Sequence, residues 1–511
     1  MMERVLTLAQ KIGQLLMVGF DGLVPDAQIE SLLDEEQVGG IILFRRNADT
    51  PEQVAALTRA LQMRNAQASR VPLMIAMDQE GGMVARLETG MTPLPSAQAF
   101  AAAGSVADCR RLTQLANAEL RQLGVNVNFA PVLDVNNNPR NPVIGVRAYG
   151  SDAETVSRFG LAALQAIHAA GVLPVVKHFP GHGDTEVDSH LGLPLIAHGR
   201  QRLQDVELKP FAAALAAGAP AVMSAHVVFP AFEADRDTPS TCSHAVLTGL
   251  LREEMGFGGL VFTDCLEMEA IASGMGVVAG ALAAFKAGAD ILLVSHRLER
   301  QRAVHAALLQ AVLSGDIPES RVDASLARIL AVKQQYRMAD WQGAVPAGLR
   351  SAEALALSAA VHRRALQRVG SCRQLDPALA TLVVQCEVRT HGEMDEVNTR
   401  DDTLAVLLGQ AGVPVRALYL PVVPRVEDTA LLQRIAPDYG QIVFVSYNAC
   451  LQPAQKACLQ LLAREHAART WLVAGRIIGD LGEWPMFNGR LGCFANRPAA
   501  LDAVCEALLR G

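Results

Sequence analysis

The sequence predicts an α/β protein made of a (β/α)8 barrel of the TIM type and a smaller, doubly wound α/β sandwich that follows it. Three observations support this fold class. Short apolar runs alternate with amphipathic segments over roughly the first 300 residues, which is the length of a (β/α)8 barrel. An irregular segment, 338–350, then breaks the pattern. A second, shorter series of alternating strands and helices follows it.

Eight apolar runs are the predicted barrel strands: 14–20, 39–44, 73–77, 125–130, 172–176, 221–224, 259–263 and 289–294. Amphipathic segments between them are the predicted helices, among them 51–63, 106–123, 152–169, 279–286 and 300–313. Strands that alternate with helices form βαβ units and a parallel sheet. An open, doubly wound sheet has the same alternation and is the structural alternative.

Polar residues after the predicted strands favour the barrel over the open sheet. They are Asp78, Asp134, Lys177 with His178, His226, Asp264, and Ser295 with His296. A single residue of this kind can serve as a helix N-cap, but six such places are poorly explained that way. The C-terminal ends of barrel strands meet at one face, where the active sites of these barrels lie. We therefore expect these side chains to converge.

The second domain is predicted from strands at 380–386, 415–420, 441–447 and 470–475 and helices near 352–368, 453–466 and 498–509. It has no Gly-x-Gly-x-x-Gly sequence and no P-loop, so nucleotide binding is unsupported. The predicted division is 1–337 for the barrel, 338–350 for a linker and 351–511 for the sandwich domain.

The composition indicates which kinds of binding partner and which cellular compartment to expect for this protein. The formal net charge is −7 and there is no long run of Lys or Arg, which argues against nucleic acid and anionic membranes as partners. A small, uncharged or weakly acidic substrate fits better. The nine cysteines include no Cys-x-x-Cys pair, and we find neither a signal peptide pattern nor an apolar stretch of about 18 residues. We expect reduced thiols and a cytoplasmic protein.

The densest chemical signal is the run from Lys177 to His190. It holds three histidines, three acidic residues and a lysine within fourteen residues, which cannot all lie in an apolar core. Pro180, Gly181 and Gly183 indicate a shaped loop. In an extended segment Asp188 and His190 project to the same side, so the carboxylate can bind one ring nitrogen and leave the other for proton transfer.

Two other interpretations of this region stay open from the residues alone. The loop can be a polar surface loop, or it can bind zinc through His178, His182, Asp184, Asp188 and His190. It contains neither a His-x-His pair on a strand nor a His-Glu-x-x-His helix, which are common zinc patterns. Asp264 follows a predicted strand, where a nucleophile or base would lie, although it can also be an N-cap.

These two segments, Lys177 to His190 and Phe-Thr-Asp264-Cys-Leu-Glu-Met268, resemble glycoside hydrolase family 3 and, within it, the β-N-acetylglucosaminidase branch. The resemblance extends over residues 9–332, and the segments 77–87 and 141–147 agree with it. It implies that Asp264 is the catalytic nucleophile, His190 the general acid/base and Asp188 its dyad partner. It also assigns a set of residues to the hydroxyls of the terminal sugar: Asp78, Arg86, Arg147, Lys177 and His178. One departure is Cys265, where relatives often carry a second Asp.

The resemblance implies a retaining exo-β-N-acetylglucosaminidase that acts on peptidoglycan fragments or chito-oligosaccharides. It implies a small carbohydrate as the partner, a monomer or homodimer, and neither a metal nor an organic cofactor. Three alternatives are a phosphorylase that passes the glycosyl group to phosphate, a metal-dependent barrel hydrolase, and a sugar-binding protein without catalytic activity.

Overall fold

A computed structural model describes residues 6–69, 71–186, 189, 192–341, 347–387 and 403–510. It contains two arrangements of mainly parallel strands, one in the first two thirds of the chain and one in the last third. In the part of the chain just defined, no helix combines the length and the apolar character that crossing a bilayer requires.

The first arrangement is a closed barrel, as the sequence predicts. Its strands are β1 Leu16–Val18, β2 Gly40–Leu43, β3 Met74–Met77, β6 Val127–Asn128, β7 Leu173–Pro174, β8 Val176–Phe179, β9 Ala221–Ser224, β10 Leu260–Phe262 and β11 Leu292–Val294. A small hairpin, β4 Gln79–Gly81 and β5 Val84–Ala85, follows β3. The order β11-β1-β2-β3-β6-β7 continues through β8-β9-β10. Parallel bridges from Val132 to Lys177 and from Phe262 to Ile291 close the ring.

The fifth strand of the barrel is divided, which the sequence did not reveal. β7 pairs with β6, whereas β8 pairs with β9. The predicted strand at 172–176 therefore continues to Phe179, and Lys177 and His178 lie within β8 rather than after it. Both residues are consequently held by the sheet, close to its C-terminal edge.

Helices surround the barrel and bury its strands on the outer face. They are α1 Leu8–Gly13, α2 Ala27–Ser31, α3 Pro51–Ala68, α4 Ala97–Ala103, α5 Val106–Gln122, α6 Ala153–Ala169, α7 Arg200–Asp205, α8 Leu208–Ala216, α9 Glu269–Ala272, α10 Val277–Ala287, α11 Leu298–Leu313 and α12 Glu319–Gln335. A π-helical segment, Ala245–Glu254, lies between β9 and β10. Polar caps define several starts: the side chain of Thr50 accepts from the N3 amide of α3, and Asp152 does the same for α6.

The last third of the chain forms a six-stranded sheet. Its strands are β12 Gln367–Arg368, β13 Thr381–Glu387, β14 Val415–Pro421, β15 Gln441–Ser446, β16 Thr470–Ala474 and β17 Gly489–Gly492. The order is β12-β17-β16-β15-β13-β14, and all neighbours are parallel except β12 with β17. The helices are α13 Ala352–Ala365, α14 Leu404–Gln410, α15 Val426–Ile435, α16 Pro453–Glu465 and α17 Pro498–Arg510. This agrees with the predicted sandwich, although β12 and β17 were not predicted.

The two units share apolar packing. Met83, Ala99 and Val146 of the barrel unit are buried in the same cluster as the core of the second sheet. Residues 342–346 of the predicted linker lie outside the described residues. The division at 337 and 351 therefore remains a prediction.

Candidate active site

One cavity at the C-terminal ends of the barrel strands collects most of the predicted site residues. Those that line it are Asp78, Arg86, Arg147, Lys177, His178 and Asp264. The two remaining predicted residues, Asp188 and His190, lie outside the described residues. Ser189, between them in sequence, is described and lines the same cavity. Six of the eight predicted site residues therefore lie at one cavity. Of the residues expected to converge from the strand ends, Asp78, Lys177, His178, Asp264 and His296 line it, whereas Asp134, His226 and Ser295 are not among its lining residues.

A buried charge network forms the floor of this cavity. The Lys177 ammonium lies 2.7 Å from Asp78 Oδ1 and 2.7 Å from Glu80 Oε1. Arg147 binds Glu80 with two parallel contacts, Nη2 to Oε1 at 2.8 Å and Nε to Oε2 at 2.9 Å. Arg86 Nη2 is 3.4 Å from Asp78 Oδ2. Buried charges require such partners, so each of these side chains depends on the others for its position.

The network keeps its members charged. Burial would raise the pKa of Glu80, but Arg147 and Lys177 reverse this and hold the pKa far below its ordinary value. Burial likewise opposes the charge on Lys177, yet Asp78 and Glu80 raise its pKa above the ordinary value. The cavity thus presents fixed cations and fixed carboxylates, which can donate to and accept from sugar hydroxyls.

Glu80 was not among the predicted site residues. Its carboxylate joins Lys177 and Arg147, which come from β8 and from the short 3-10 turn Gly145–Arg147. The signal available in the sequence was the Asp-Gln-Glu spacing, since residues two apart in an extended segment face the same side. Asp78 and Glu80 indeed share the partner Lys177.

Asp134 is a second residue whose role was not predicted, although its position after a strand was noted. It is fully buried and accepts from His178 Nδ1 at 2.7 Å and from the backbone N–H of His182 at 2.8 Å. Burial would raise the pKa of Asp134, but His178 lowers it below the ordinary value. Asp134 therefore fixes the orientation of the His178 ring, whose Nε2 lies 3.4 Å from Arg147 Nη2.

His182 supports the loop from inside. Its Nδ1 lies 2.9 Å from Thr185 Oγ1, and its Nε2 lies 2.9 Å from Ser189 Oγ. Burial, reinforced by the nearby His178, lowers the pKa of His182 to about 4. A neutral His182 thus connects the start of the loop to Ser189, the residue between the predicted dyad partners.

Three residues considered as zinc ligands instead have separate partners. His178 binds Asp134, His182 binds Thr185 and Ser189, and Asp184 lies 2.6 Å from His198. Across the described ranges, these loop residues do not form a cluster whose ligand atoms lie close together. The loop's described histidines and acids are therefore engaged in holding its shape.

The segment that ends at Arg147 is positioned from two directions. Asn141 donates from its amide to the backbone oxygens of His182 and Gly183 at 2.8 and 3.0 Å, and its Oδ1 accepts from Ile144 N–H at 2.8 Å. From the second domain, the buried Arg476 donates to the Val143 carbonyl at 3.4 Å. The second domain thus contacts the turn that presents Arg147.

The same turn requires glycine at position 145. Gly145 has a φ of 46°, and a Cβ there would lie 3.0 Å from Arg476 Nη1. A side chain at this position would strain the backbone and push against the arginine.

Asp264 follows β10 and faces the cavity. It is partly buried, and its Oδ1 accepts the backbone N–H of Cys265 at 2.7 Å. Apolar side chains line the same cavity, namely Phe129, Met223, Met268 and Leu293. The site therefore combines the Asp264 carboxylate with apolar side chains and charged hydrogen-bonding groups, which suits attack on a bound polar ring.

Known proteins match both the sequence and the fold. A family model described as the glycosyl hydrolase family 3 N-terminal domain matches residues 7–332. Beta-hexosaminidase A of Pseudoalteromonas piscicida is 36% identical over 365 residues, which are 64% of this chain and 61% of that protein. The beta-hexosaminidase of Xylella fastidiosa (strain M23) is 38% identical over 289 residues, which are 55% of this chain and 83% of that protein.

A solved structure matches nearly the whole chain. It is a glycoside hydrolase family 3 beta-N-acetylglucosaminidase from Paenibacillus sp. str. FPU-7, with 45% identity and a TM-score of 0.93, covering 99% of this chain and 97% of the other. Both the predicted two-domain fold and the resemblance to the β-N-acetylglucosaminidase branch are confirmed. This chain is a glycosidase that belongs to glycosyl hydrolase family 3.

Proposed function

We propose that this chain is a retaining exo-β-N-acetylglucosaminidase that releases terminal N-acetylglucosamine from small glycans. The observation that carries the proposal is the shared cavity, in which Asp264 faces the charge network of Asp78, Arg86, Arg147, Lys177 and His178. The hexosaminidase and β-N-acetylglucosaminidase relatives favour hydrolysis over the phosphorylase and metal-dependent alternatives.

In the first step Asp264 attacks the anomeric carbon and forms a covalent glycosyl-enzyme. His190, oriented by Asp188, gives its proton to the departing glycosidic oxygen. In the second step water attacks the same carbon while His190 takes up its proton, and the bond to Asp264 breaks. Two displacements at one carbon give net retention.

A histidine suits the acid/base role here because of charge. Once it has given up its proton it is neutral, so it adds no second anion beside Asp264. The nucleophile can therefore remain ionised without repulsion from a neighbouring carboxylate.

The sugar is held by the charged floor of the cavity. Lys177, Arg86 and Arg147 donate to hydroxyls through charge-assisted hydrogen bonds, and Asp78 accepts from them. Because Glu80 already fixes Lys177 and Arg147, and Asp134 fixes His178, little ordering is needed when the sugar binds. Met223 and Met268 line the same cavity and offer apolar contacts to the less polar side of the ring.

The assignment is tested with 4-nitrophenyl N-acetyl-β-D-glucosaminide. Wild type should hydrolyse it, and Asp264→Asn should lower kcat by at least about 10⁴-fold because the nucleophile is lost. Asp316→Asn is the control, since this exposed carboxylate lies on the surface opposite Lys286. An active Asp264→Asn variant would refute the role of this residue.

Product analysis separates hydrolysis from phosphorolysis. With chitobiose and a muropeptide as substrates, the expected product with and without phosphate is free N-acetylglucosamine of the β configuration, detected by proton NMR before mutarotation. A sugar 1-phosphate that appears only with phosphate would overturn the hydrolase assignment.

We place the enzyme in the cytoplasm, where it would act on peptidoglycan fragments during recycling or on chito-oligosaccharides. None of the nine cysteines forms a disulfide and five of them are buried, which fits a reducing compartment. Fractionation of cells followed by activity measurement tests this location, and activity outside the cytoplasmic fraction would contradict it.

A further inference from the structure

Three side chains beside the nucleophile bring a thiol, a carboxylate and an imidazole together. Cys265 and Glu267 follow β10, and His296 follows β11, so neighbouring barrel strands deliver them. Their potential ligand atoms all lie within 4.8 Å of one another, and among the residues that the structure describes this is the group with such geometry. The mechanism proposed above uses none of the three.

The set of atoms matches the preference of zinc. Cysteine sulfur, histidine nitrogen and carboxylate oxygen are the usual ligands, at about 2.0–2.3 Å from the metal. Tetrahedral ligands are then roughly 3.5 Å apart, so side-chain movements of about 1 Å would bring this trio into place. Three protein ligands leave a fourth position for water.

The surroundings hold the carboxylate and leave an entry path. The Glu267 side chain is only 3% exposed, and its Oε2 accepts the His296 backbone N–H at 2.6 Å while Oε1 lies 3.2 Å from Arg300 Nη1. His296 is exposed, and its ring packs at 5.3 Å on that of Phe44. A cation can therefore approach from solvent past His296 toward the Glu267 carboxylate. Hydrogen bonds already hold this carboxylate in place, as they hold the ligands of known metal sites.

Nearby cations limit the strength of such a site. Arg300 already shares Glu267, and Arg46, which pairs with Asp21 at 2.6 Å, contributes positive charge near His296. The thiol must also release its proton when it binds metal. We therefore expect reversible binding rather than a permanently held ion.

We propose that Cys265, Glu267 and His296 form a zinc site whose occupation inhibits the enzyme. Cys265 and His296 line the same cavity as Asp264. A divalent cation there would oppose the positive charge that develops on the sugar ring in the transition state. On binding, a zinc–sulfur bond replaces the S–H bond of Cys265, and the proton leaves to the buffer. The inhibition, although not the binding, rests on the proposed function.

The binding test uses the full chain, free of added substrate. Zn²⁺ is titrated in competition with a chromophoric chelator, and Co²⁺ is used as a spectroscopic probe of thiolate coordination. Wild type should bind one Zn²⁺ and show a thiolate-to-cobalt charge-transfer band. Because loss of even an outer partner weakens metal affinity by roughly 10–100-fold, Cys265→Ser and His296→Ala should each weaken zinc by at least about tenfold and remove or weaken the band.

Matched controls locate the metal. Cys372→Ser removes another partly buried thiol, in the second domain, and should retain wild-type zinc affinity and the cobalt band. Melting curves without metal confirm that each variant is folded. Absence of zinc binding in wild type, or unchanged affinity in Cys265→Ser and His296→Ala, would overturn the proposal. So would binding that is lost only in His190→Ala, because the metal would then lie at the dyad.

Inhibition is measured separately, as the ratio of kcat/KM with and without saturating Zn²⁺. The ratio should fall at least tenfold in wild type and in Cys372→Ser, and recover on adding chelator. Zinc bound to Cys265 without loss of activity would refute the inhibitory role. A chain that binds zinc through Cys265 but hydrolyses no N-acetylglucosaminide would refute the proposed function and leave the metal site standing.

Discussion

Glu80 is the residue whose replacement tests the interpretation of the buried charge network. Glu80→Gln keeps the shape of the side chain and removes its charge. In the wild type one carboxylate binds Lys177 at 2.7 Å and Arg147 at 2.8 and 2.9 Å. The glutamine would face these two cations with one neutral oxygen and an amide that can only donate.

The expected loss is large because all partners are buried. The side chains of Lys177 and Arg147 are each 2% exposed and that of Glu80 is 6% exposed. Removing one partner of a buried ion pair typically lowers the free energy of unfolding by about 3–5 kcal/mol. In a barrel unit of about 330 residues, with an unfolding entropy of about 2.1 cal/mol/K per residue, that corresponds to a Tm lower by roughly 4–7 °C. Displacement of the sugar-binding cations by about 1 Å should lower kcat/KM by roughly 10²-fold.

Thermal unfolding followed by circular dichroism, together with kcat/KM on the aryl substrate, measures both effects. Asp316→Asn is the matched control, because its pair with Lys286 is about half exposed on both sides. Surface pairs contribute about 0–1 kcal/mol, so this variant should melt close to wild type. A Glu80→Gln variant that melts within about 2 °C of wild type would refute the reasoning.

The loss of stability in Glu80→Gln should also depend on pH. The pKa of Glu80 is held far below its ordinary value of 4.5 in the folded chain. Such a carboxyl stabilises the fold fully above the pKa of the unfolded state, and the stabilisation is lost as pH falls below it. The difference in Tm between wild type and Glu80→Gln should therefore be constant near neutrality and narrow below about pH 4.5.

Three further predictions follow from the site. His190→Ala should slow hydrolysis of substrates with poor leaving groups far more than of activated aryl glycosides, and equal effects on both would contradict its role as the acid. His182, with a pKa lowered from 6.5 to about 4 by burial, favours unfolding as pH falls between these values, because only the unfolded chain takes up the proton. Through this residue the wild type should lose about 3 kcal/mol of its free energy of unfolding between pH 6.5 and pH 4. The Tm of His182→Asn, measured across the same pH range, should therefore decline less than that of the wild type. Arg476→Met should lower kcat/KM about tenfold or more, because the segment at Val143 loses a contact that orients it. The control is Arg416→Ala, which removes an exposed arginine of the same domain. Equal activity of the two variants would show that the second domain does not support the site.

Much of the fold was predictable because it depends on local patterns. The apolar runs at 39–44 and 73–77 correspond to β2 and β3, and helix starts agree with their caps at Thr50 and Asp152. Short elements were missed, namely the β4–β5 hairpin and the strands β12 and β17. Strands of two to four residues carry too few side chains for an alternation to be recognised with certainty.

The sequence by itself indicated the alternation of strands and helices, the positions of charged residues after the strands, and the family that the chain resembles, since these follow from periodicity and from contiguous residues. Whether the sheet closes into a barrel or stays open was decided by the structure. Only the tertiary structure decided that Glu80 joins Lys177 to Arg147, that Asp134 orients His178, and that Arg476 reaches across from the second domain. These contacts link residues dozens to hundreds of positions apart. Which buried charges meet depends on how the folded chain brings distant segments together, and no local sequence pattern contains that information.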